Sequence, residues 1–102
     1  MHDMNFLQKF LKESLETLDN MDFIDILKTY QILCMHLKKE GFSDYCIEKY
    51  GEYKAICIIE ILKTLSIDYV LINDNFTNTQ GINTDKVNNL REALEILNLL
   101  VE

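Results

Sequence analysis

Hydrophobic residues recur every three or four positions along most of the chain, which is the spacing of one face of an α-helix. The first run follows Asp3, a residue type that caps helices, and predicts a helix over residues 3–19. A turn at residues 20–21 separates it from a second predicted helix over residues 22–40, with Gly41 as the residue that terminates it. The apolar face of the first helix consists of Met4, Leu7, Leu11, Leu15 and Leu18. That of the second consists of Phe23, Ile26, Leu27, Tyr30, Leu33, Cys34 and Leu37.

The third apolar segment is the densest of the chain. Ser43 is its predicted cap, and we expect helical winding throughout residues 44–65. Gly51 lies inside this segment and either bends the helix or splits it in two, because glycine is unfavourable in a helix interior. On a helical wheel the polar residues form one narrow stripe, so the helix is predicted to be the most buried. The stripe consists of Lys49, Glu52, Glu60 and Lys63.

Residues 67–72 are ambiguous, because this short run with β-branched residues suits a strand as well as a helix. We favour the helix, since no other segment offers a convincing partner strand. Residues 73–83 are dense in Asn, Thr and Asp and predict a surface loop, pinned to the body by Phe76 and Ile82.

Thr84 is the predicted cap of the last helix, whose apolar positions alternate in steps of three and four. This seam consists of Val87, Leu90, Leu94, Leu97 and Val101. It could also pair with its own copy, which predicts a homodimer through residues 84–102 as one alternative. Together the segments predict one all-α domain over residues 1–102, a compact bundle of four to five helices. The alternative is an α+β domain with a short strand near residues 67–72.

Charge narrows the range of partners. The 102 residues include 17 acidic and 10 basic side chains, giving a net charge of −7. Arg91 is the only arginine, and no basic run is longer than Lys38 and Lys39. A helix-turn-helix at Gly41 would point Asp44 at the phosphates. We therefore predict no nucleic-acid partner and no binding to an anionic membrane surface.

The cysteines and the absence of long apolar runs indicate a compartment. Cys34, Cys46 and Cys57 are odd in number and form no C-x-x-C pair. The sequence begins without a signal-peptide pattern, and no apolar stretch has the length of a membrane span. We expect reduced thiols and a cytoplasmic location.

Two pairs of residues carry side chains that could form a catalytic or metal site. Cys57 and Glu60 could touch within one helix turn, but we expect a core cysteine beside an outward-facing glutamate, with no base to activate the thiol. Cys34 and His36 are two positions apart, so they point in different directions on a helix and cannot share a zinc ion. We accordingly predict no catalytic residue, no metal site and no cofactor.

Apolar residues on otherwise polar helix stripes predict a contact surface. The alternative is that the bundle buries these helices on two sides. The residues assigned to partner binding are Ile32, His36, Tyr53, Ile56, Glu60, Ile96 and Leu99.

We expect a small acidic protein–protein interaction module that acts by occluding a partner protein, as inhibitors, immunity proteins and phage anti-defence proteins do. An acidic surface with Tyr and Ile anchors suits a basic partner. Many Asn, Ile and Lys residues with a single Arg are typical of a low-GC bacterium or its phage. The alternatives are a homo-oligomeric structural or regulatory protein and, less favoured, an enzyme or small-ligand binder.

Overall fold

The computed structural model describes residues 5–74 and 84–102. Within these ranges the chain forms five α-helices and no strand, which confirms the all-α bundle. The predicted cap Asp3 and the first stripe residue Met4 lie outside the described residues. The helices are α1 (Asn5–Thr17), α2 (Phe23–Leu37), α3 (Phe42–Tyr50), α4 (Glu52–Asp74) and α5 (Thr84–Val101), and a 3₁₀ turn, Leu18–Asn20, follows α1.

Contacts of α1 fix the direction of two neighbours. The Asn98 side-chain amide donates to the Leu11 carbonyl over 3.0 Å. In the 3₁₀ turn that follows the C-terminal end of α1, Asp19 pairs with the Arg91 guanidinium. Because residue numbers fall on α1 as they rise on α5, the two helices are antiparallel. The short turn after α1 reverses the chain, so α2 is antiparallel to α1 as well.

Contacts of α2 fix the direction of α4. The charge of Asp68 acts on Tyr30, and the Ser66 hydroxyl lies against the Cys34 thiol. Residue numbers again run in opposite senses, so α2 and α4 are antiparallel. It follows that α4 is parallel to α1 and antiparallel to α5. The α1–α5, α5–α4 and α4–α2 contacts, with the Phe6–His36 ring contact between α1 and α2, therefore arrange four helices as a ring in the order α1, α2, α4, α5. Helix α3 packs against α4 and α2 as a corner.

The core lies inside this ring. The inner side of α4 contributes Ala55, Ile58 and Leu62, each with 0% exposure. The seam of α5 is also buried, except that Val87 is half-buried. This seam packs within the chain, so a second copy could not pair with it unless the bundle opened. The homodimer through residues 84–102 stays a prediction only for the opposite side of α5.

The α2–α3 connection differs from the prediction. Helix α2 ends at Leu37, three residues early, where the Lys38 amide bonds back to the Met35 carbonyl. Gly41 adopts a left-handed conformation (φ 79°) directly before α3, so the predicted Ser43 cap is wrong. The early start brings Phe42 into the core with 2% exposure.

Gly51 splits the third predicted helix, so unbroken winding over residues 44–65 is wrong and the split alternative is confirmed. Its backbone (φ 92°, ψ 161°) is a conformation that side chains with a Cβ rarely adopt. The Gly51 amide bonds to the Ile47 carbonyl over 3.0 Å, and the Gly51 carbonyl accepts from the Ala55 amide over 2.9 Å. The glycine thus provides one backbone hydrogen bond to the end of α3 and one to the start of α4.

The ambiguous segment 67–72 is helical and belongs to α4, which confirms the favoured reading. Residues 73 and 74 also belong to α4, so the predicted loop begins later than expected. Residues 75–83, including Phe76 and Ile82, lie outside the described residues. Helix α5 begins at Thr84, the predicted boundary.

Candidate interaction surface

Helix α4 exposes apolar side chains along its outer side. Tyr53 is 89% exposed and Ile67 is 64% exposed, whereas Ile58 on the inner side is fully buried. The exposed positions follow one another in steps of three, four, seven and four residues, which places them on one side of the helix. We call this set the α4 stripe: Tyr53, Ile56, Glu60, Ile67 and Leu71.

Glu60 lies in the middle of the α4 stripe and points outward, as predicted. Its carboxylate is 3.4 Å from the Lys63 ammonium, one turn along the helix. Both side chains are exposed, so the pair contributes little to stability. The pair therefore places one charge of each sign on this surface.

Helix α5, which packs beside α4, carries Ile96 and Leu99. Both are exposed, as their positions off the α5 seam predicted. Ile96 faces Ile61 across the space between α5 and α4. Of the eleven large hydrophobic side chains exposed in the described residues, seven belong to α4 and α5. The other four lie on α1, α2 and α3, at one or two positions per helix.

A groove of about 320 Å³ separates the two helices. Its walls are residues 61–68 of α4 and residues 89–96 of α5. Leu65 and Ala93 are buried and form the floor, and the polar lining includes the Asp68 and Glu92 carboxyl groups. The α4–α5 surface, meaning the α4 stripe, this groove, Ile96 and Leu99, is the candidate site.

The prediction that Cys57 is a core residue is wrong, because its side chain is exposed. Cys57 lies three residues before Glu60 and four after Tyr53, so it shares their side of α4. Cys34 and Cys46 are buried, and burial raises the pKa of the Cys46 thiol to about 11. These two thiols are therefore poor nucleophiles at neutral pH.

The prediction that His36 lies on an exposed polar stripe is also wrong, because the residue is only 3% exposed. Its ring stacks on Phe6 and meets the edge of Phe42, with centroids 6.3 Å and 5.9 Å away. Its Nδ1–H donates to the Ile32 carbonyl over 2.8 Å, and burial lowers the pKa of the imidazole. Helix α1 covers this side of α2, so His36 cannot serve as an exposed contact residue.

Ile32 is half-buried and lies on α2. Five of the seven residues assigned to partner binding are thus exposed on α4 and α5, whereas Ile32 and His36 lie on α2 and are half-buried and buried. Ile67, Leu71 and the groove residues were missed. They could have been found by continuing the Tyr53–Ile56–Glu60 spacing through residues 67–72 as a helix.

An aromatic corner on α3 offers a second polar cluster. The Tyr45 and Tyr50 rings meet edge to face at 6.3 Å, and the Lys49 ammonium lies 5.6 Å from the Tyr45 centroid. Burial, followed by the influence of Tyr45, raises the pKa of Tyr50. The two hydroxyls are buried and have no hydrogen-bond partner among the described residues. The aromatic rings thus pack α3 at this corner, and the raised pKa of Tyr50 keeps its phenol protonated at neutral pH.

A second groove, about 360 Å³, lies between α1 and α2. It carries both charge signs, with Glu13 and Asp25 near Lys28. The Thr17 and Thr29 hydroxyls on its walls donate to carbonyls of their own helices over 2.8 Å. Its polar groups are partly satisfied within the chain and its charge is mixed, so it is the weaker candidate for a partner.

Within residues 5–74 and 84–102, no three His, Cys, Asp or Glu side chains converge as ligands for a metal ion. None of the helices described there combines the length and the apolar character that a membrane crossing requires. Comparison with models of known protein families, with curated proteins and with solved structures finds no match to this chain.

Proposed function

We propose that this protein binds another protein through the α4–α5 surface and acts by occluding it. The observation that carries the proposal is the α4 stripe, together with Ile96 across the groove and the exposed Leu99 on α5. A single exposed apolar residue is ordinary, but a run of them on one side, bordered by carboxylates, is typical of interfaces. In this proposal it is an inhibitor, immunity or anti-defence type protein of bacterial or phage origin.

Residue types support a protein partner. Tyrosine is enriched among residues that dominate binding energy, and Tyr53 is the most exposed large hydrophobic residue among those described. The surface carries Glu60 and Glu92, and the net charge of −7 favours a basic partner over nucleic acid. Three free thiols, two of them buried, support a reducing cytoplasmic location.

Self-association is the second candidate, because Ile96 and Leu99 lie on the free side of α5. Two copies would place like-charged surfaces against each other, which opposes this pairing at low salt. Light scattering at high protein concentration separates the candidates. A monomer of 12.0 kDa is expected, and a stable dimer would favour self-assembly.

The proposal is tested by site-specific photo-crosslinking in the cells that express the protein. A benzophenone amino acid replaces Tyr53 or Ile67 on the α4 stripe, and replaces Ile24 or Met35 on α2 as matched exposed controls. We expect one defined adduct from both stripe positions and none from the α2 positions. The purified adduct partner should then bind the isolated protein.

The variant Ile67→Glu places a charge in the middle of the proposed interface. We expect it to weaken binding of that partner by at least about tenfold, as loss of a central anchor does. Ile24→Glu should leave binding unchanged. Adducts that form equally from α2 positions, or binding that tolerates Ile67→Glu, would contradict the proposal.

A further inference from the structure

The α4–α5 groove has an apolar floor and an acidic wall. Ile61, Leu65 and Ala93 provide the apolar lining, and Ile96 closes it on the α5 side. The α4 stripe, on the exposed side of the same helix, is longer than the groove, whose α4 wall spans residues 61–68. From residue 53 to residue 71 the stripe is about 27 Å long, the length of a helix of about 18 residues.

Carboxyl groups are the charged groups of this groove. Asp68 lies in its wall with 8% exposure, and Glu92 lies exposed on the opposite helix. Among the described residues that line the groove there is no Lys or Arg. The nearest exposed ammonium on α4, that of Lys63, is already beside Glu60. A cation entering the groove would therefore meet carboxyl groups from both helices.

Asp68 is nearly buried where it lines the groove, with 8% exposure. Its charge, after burial, contributes to raising the pKa of the Tyr30 phenol on α2. Tyr30 has 0% exposure, so Asp68 is held between a packed interior and the groove. A carboxyl group held in this way is pre-organised for a partner.

We propose that the α4–α5 groove binds a cationic amphipathic helix of a partner protein. Apolar residues of that helix lie on Leu65, Ala93 and Ile96, and one Lys or Arg side chain reaches Asp68 and Glu92. Recognition of an amphipathic helix by an apolar groove with opposite charge at its edge is a recurrent mode of binding. This inference rests on the proposed function and specifies its partner.

Charge argues against a second copy as the occupant. Each copy has a net charge of −7, and a face-to-face pair would bring Glu92 of each copy toward the acidic surface of the other. Like charges across an interface are costly, whereas a cationic helix would be attracted to them. The cationic helix is therefore the occupant that the surface favours.

The test uses synthetic helices and the intact protein. One peptide of about 18 residues carries Leu on one face and Lys on the other. A second has the same composition in scrambled order, and a third replaces every Lys by Glu. Binding is measured by fluorescence anisotropy at low and high salt. We expect saturable one-to-one binding of the first peptide, at least tenfold weaker binding of the other two, and weaker binding as salt rises.

Two variants place the peptide in the groove. Glu92→Gln removes one carboxylate from an exposed position, so the fold is preserved, and Ile96→Ser removes an apolar contact. Each should weaken binding of the Leu/Lys peptide at least threefold. Glu16→Gln on α1 removes an equal charge from another exposed position and should leave binding unchanged.

Cys57 gives an independent location. It is the exposed thiol among three cysteines, so a benzophenone maleimide attaches at the edge of the α4–α5 surface. We expect this probe to crosslink the Leu/Lys peptide and not the scrambled one. Equal binding of scrambled and amphipathic peptides, no binding of either, or no effect of Glu92→Gln and Ile96→Ser would overturn the inference.

The two proposals fail separately. A partner captured from Tyr53 and Ile67 in cells, without any binding of the Leu/Lys peptide, would overturn the groove inference and leave the proposed function standing. Absence of stripe-specific adducts in cells would remove the proposed function itself. A dimer with Glu92 and Ile96 at its interface would overturn the inference in favour of a second copy.

Discussion

Ile56 and Ile58 lie two residues apart in α4 and have the same side chain. Ile58 is fully buried among the helices of the bundle, whereas Ile56 is 53% exposed. The inner side of α4 is what holds the ring of helices together. The outer side has similar residue types but exposes them, so its apolar character contributes little to the stability of the folded chain. Because folding does not require apolar residues on the outer side of α4, we assign that side to binding.

The largest difference between the inner and outer sides of α4 is expected when the same side-chain atoms are removed from each. Ile58→Ala should lower the free energy of unfolding by about 2–5 kcal/mol, through lost burial and a cavity. Ile56→Ala should change it by less than about 0.5 kcal/mol, since the site is exposed. Urea unfolding followed by circular dichroism measures both. Equal losses would mean that the two sides of α4 are not different.

His36 is a titratable side chain on the inner side of its helix, although it was predicted to be exposed. Burial lowers the pKa of the folded-state imidazole, so the unfolded chain binds the proton more readily. Stability should therefore fall as pH decreases from the unfolded pKa of about 6.5 toward the folded value, by at most about 1.4 kcal/mol per pH unit.

The measurement is urea unfolding at several pH values between 7.5 and 5, where most carboxylates do not yet titrate. The variant His36→Gln should lose the pH dependence within this window, and His2→Gln should retain it. An unchanged slope in His36→Gln would show that the imidazole is not the group responsible.

Helix α5 offers the same contrast between an inner and an outer position for two side-chain amides, Asn98 and Asn88. The Asn98 amide donates to the Leu11 and Leu94 carbonyls over 3.0 Å and 2.8 Å, whereas Asn88 is exposed. Asn98→Ala should lower the free energy of unfolding by about 1 kcal/mol relative to Asn88→Ala. Both changes gain the same helix propensity, so their difference reports the two hydrogen bonds of Asn98, one of which links α5 to α1. Thermal or urea unfolding of the two variants decides, and equal values would contradict this link.

The smallest effect is expected from ion pairs. Arg91 is 35% exposed where it meets Asp19, whereas Lys63 and Glu60 are both largely exposed. A double-mutant cycle with Arg91→Gln and Asp19→Asn should give a coupling of about 0.2–1 kcal/mol that decreases with salt. The cycle with Lys63→Gln and Glu60→Gln should give less. A stronger coupling on the outer pair would reverse the comparison.

Periodicity predicted the helices and their inner sides because burial repeats with the helical turn. Glu60 was placed correctly for this reason, and so were Ile96 and Leu99. Residues 67–72 were assigned correctly as helix, although residue propensity alone left a strand open.

The predictions were wrong where a second neighbouring helix or a special backbone conformation determines the local structure. His36 is buried because α1 packs beside α2 and brings Phe6 onto its ring, which no local pattern of α2 contains. Helix α3 starts at Phe42, before the predicted cap Ser43, because the left-handed backbone of Gly41 lets Phe42 reach the core. The groove required the antiparallel pairing of α4 with α5, which brings Ile61 opposite Ile96. Such pairings follow from tertiary packing and not from the spacing within one helix.

The most direct test of the central claim is the solvent accessibility of isoleucine methyl groups. A soluble gadolinium chelate is added to methyl-labelled protein, and relaxation of each δ1 methyl is measured by NMR. Strong enhancement is predicted for Ile56, Ile67 and Ile96, with little for Ile58. If Ile67 and Ile96 relax as slowly as Ile58, the surface is already covered in the free protein, and the account of an open partner-binding face is contradicted.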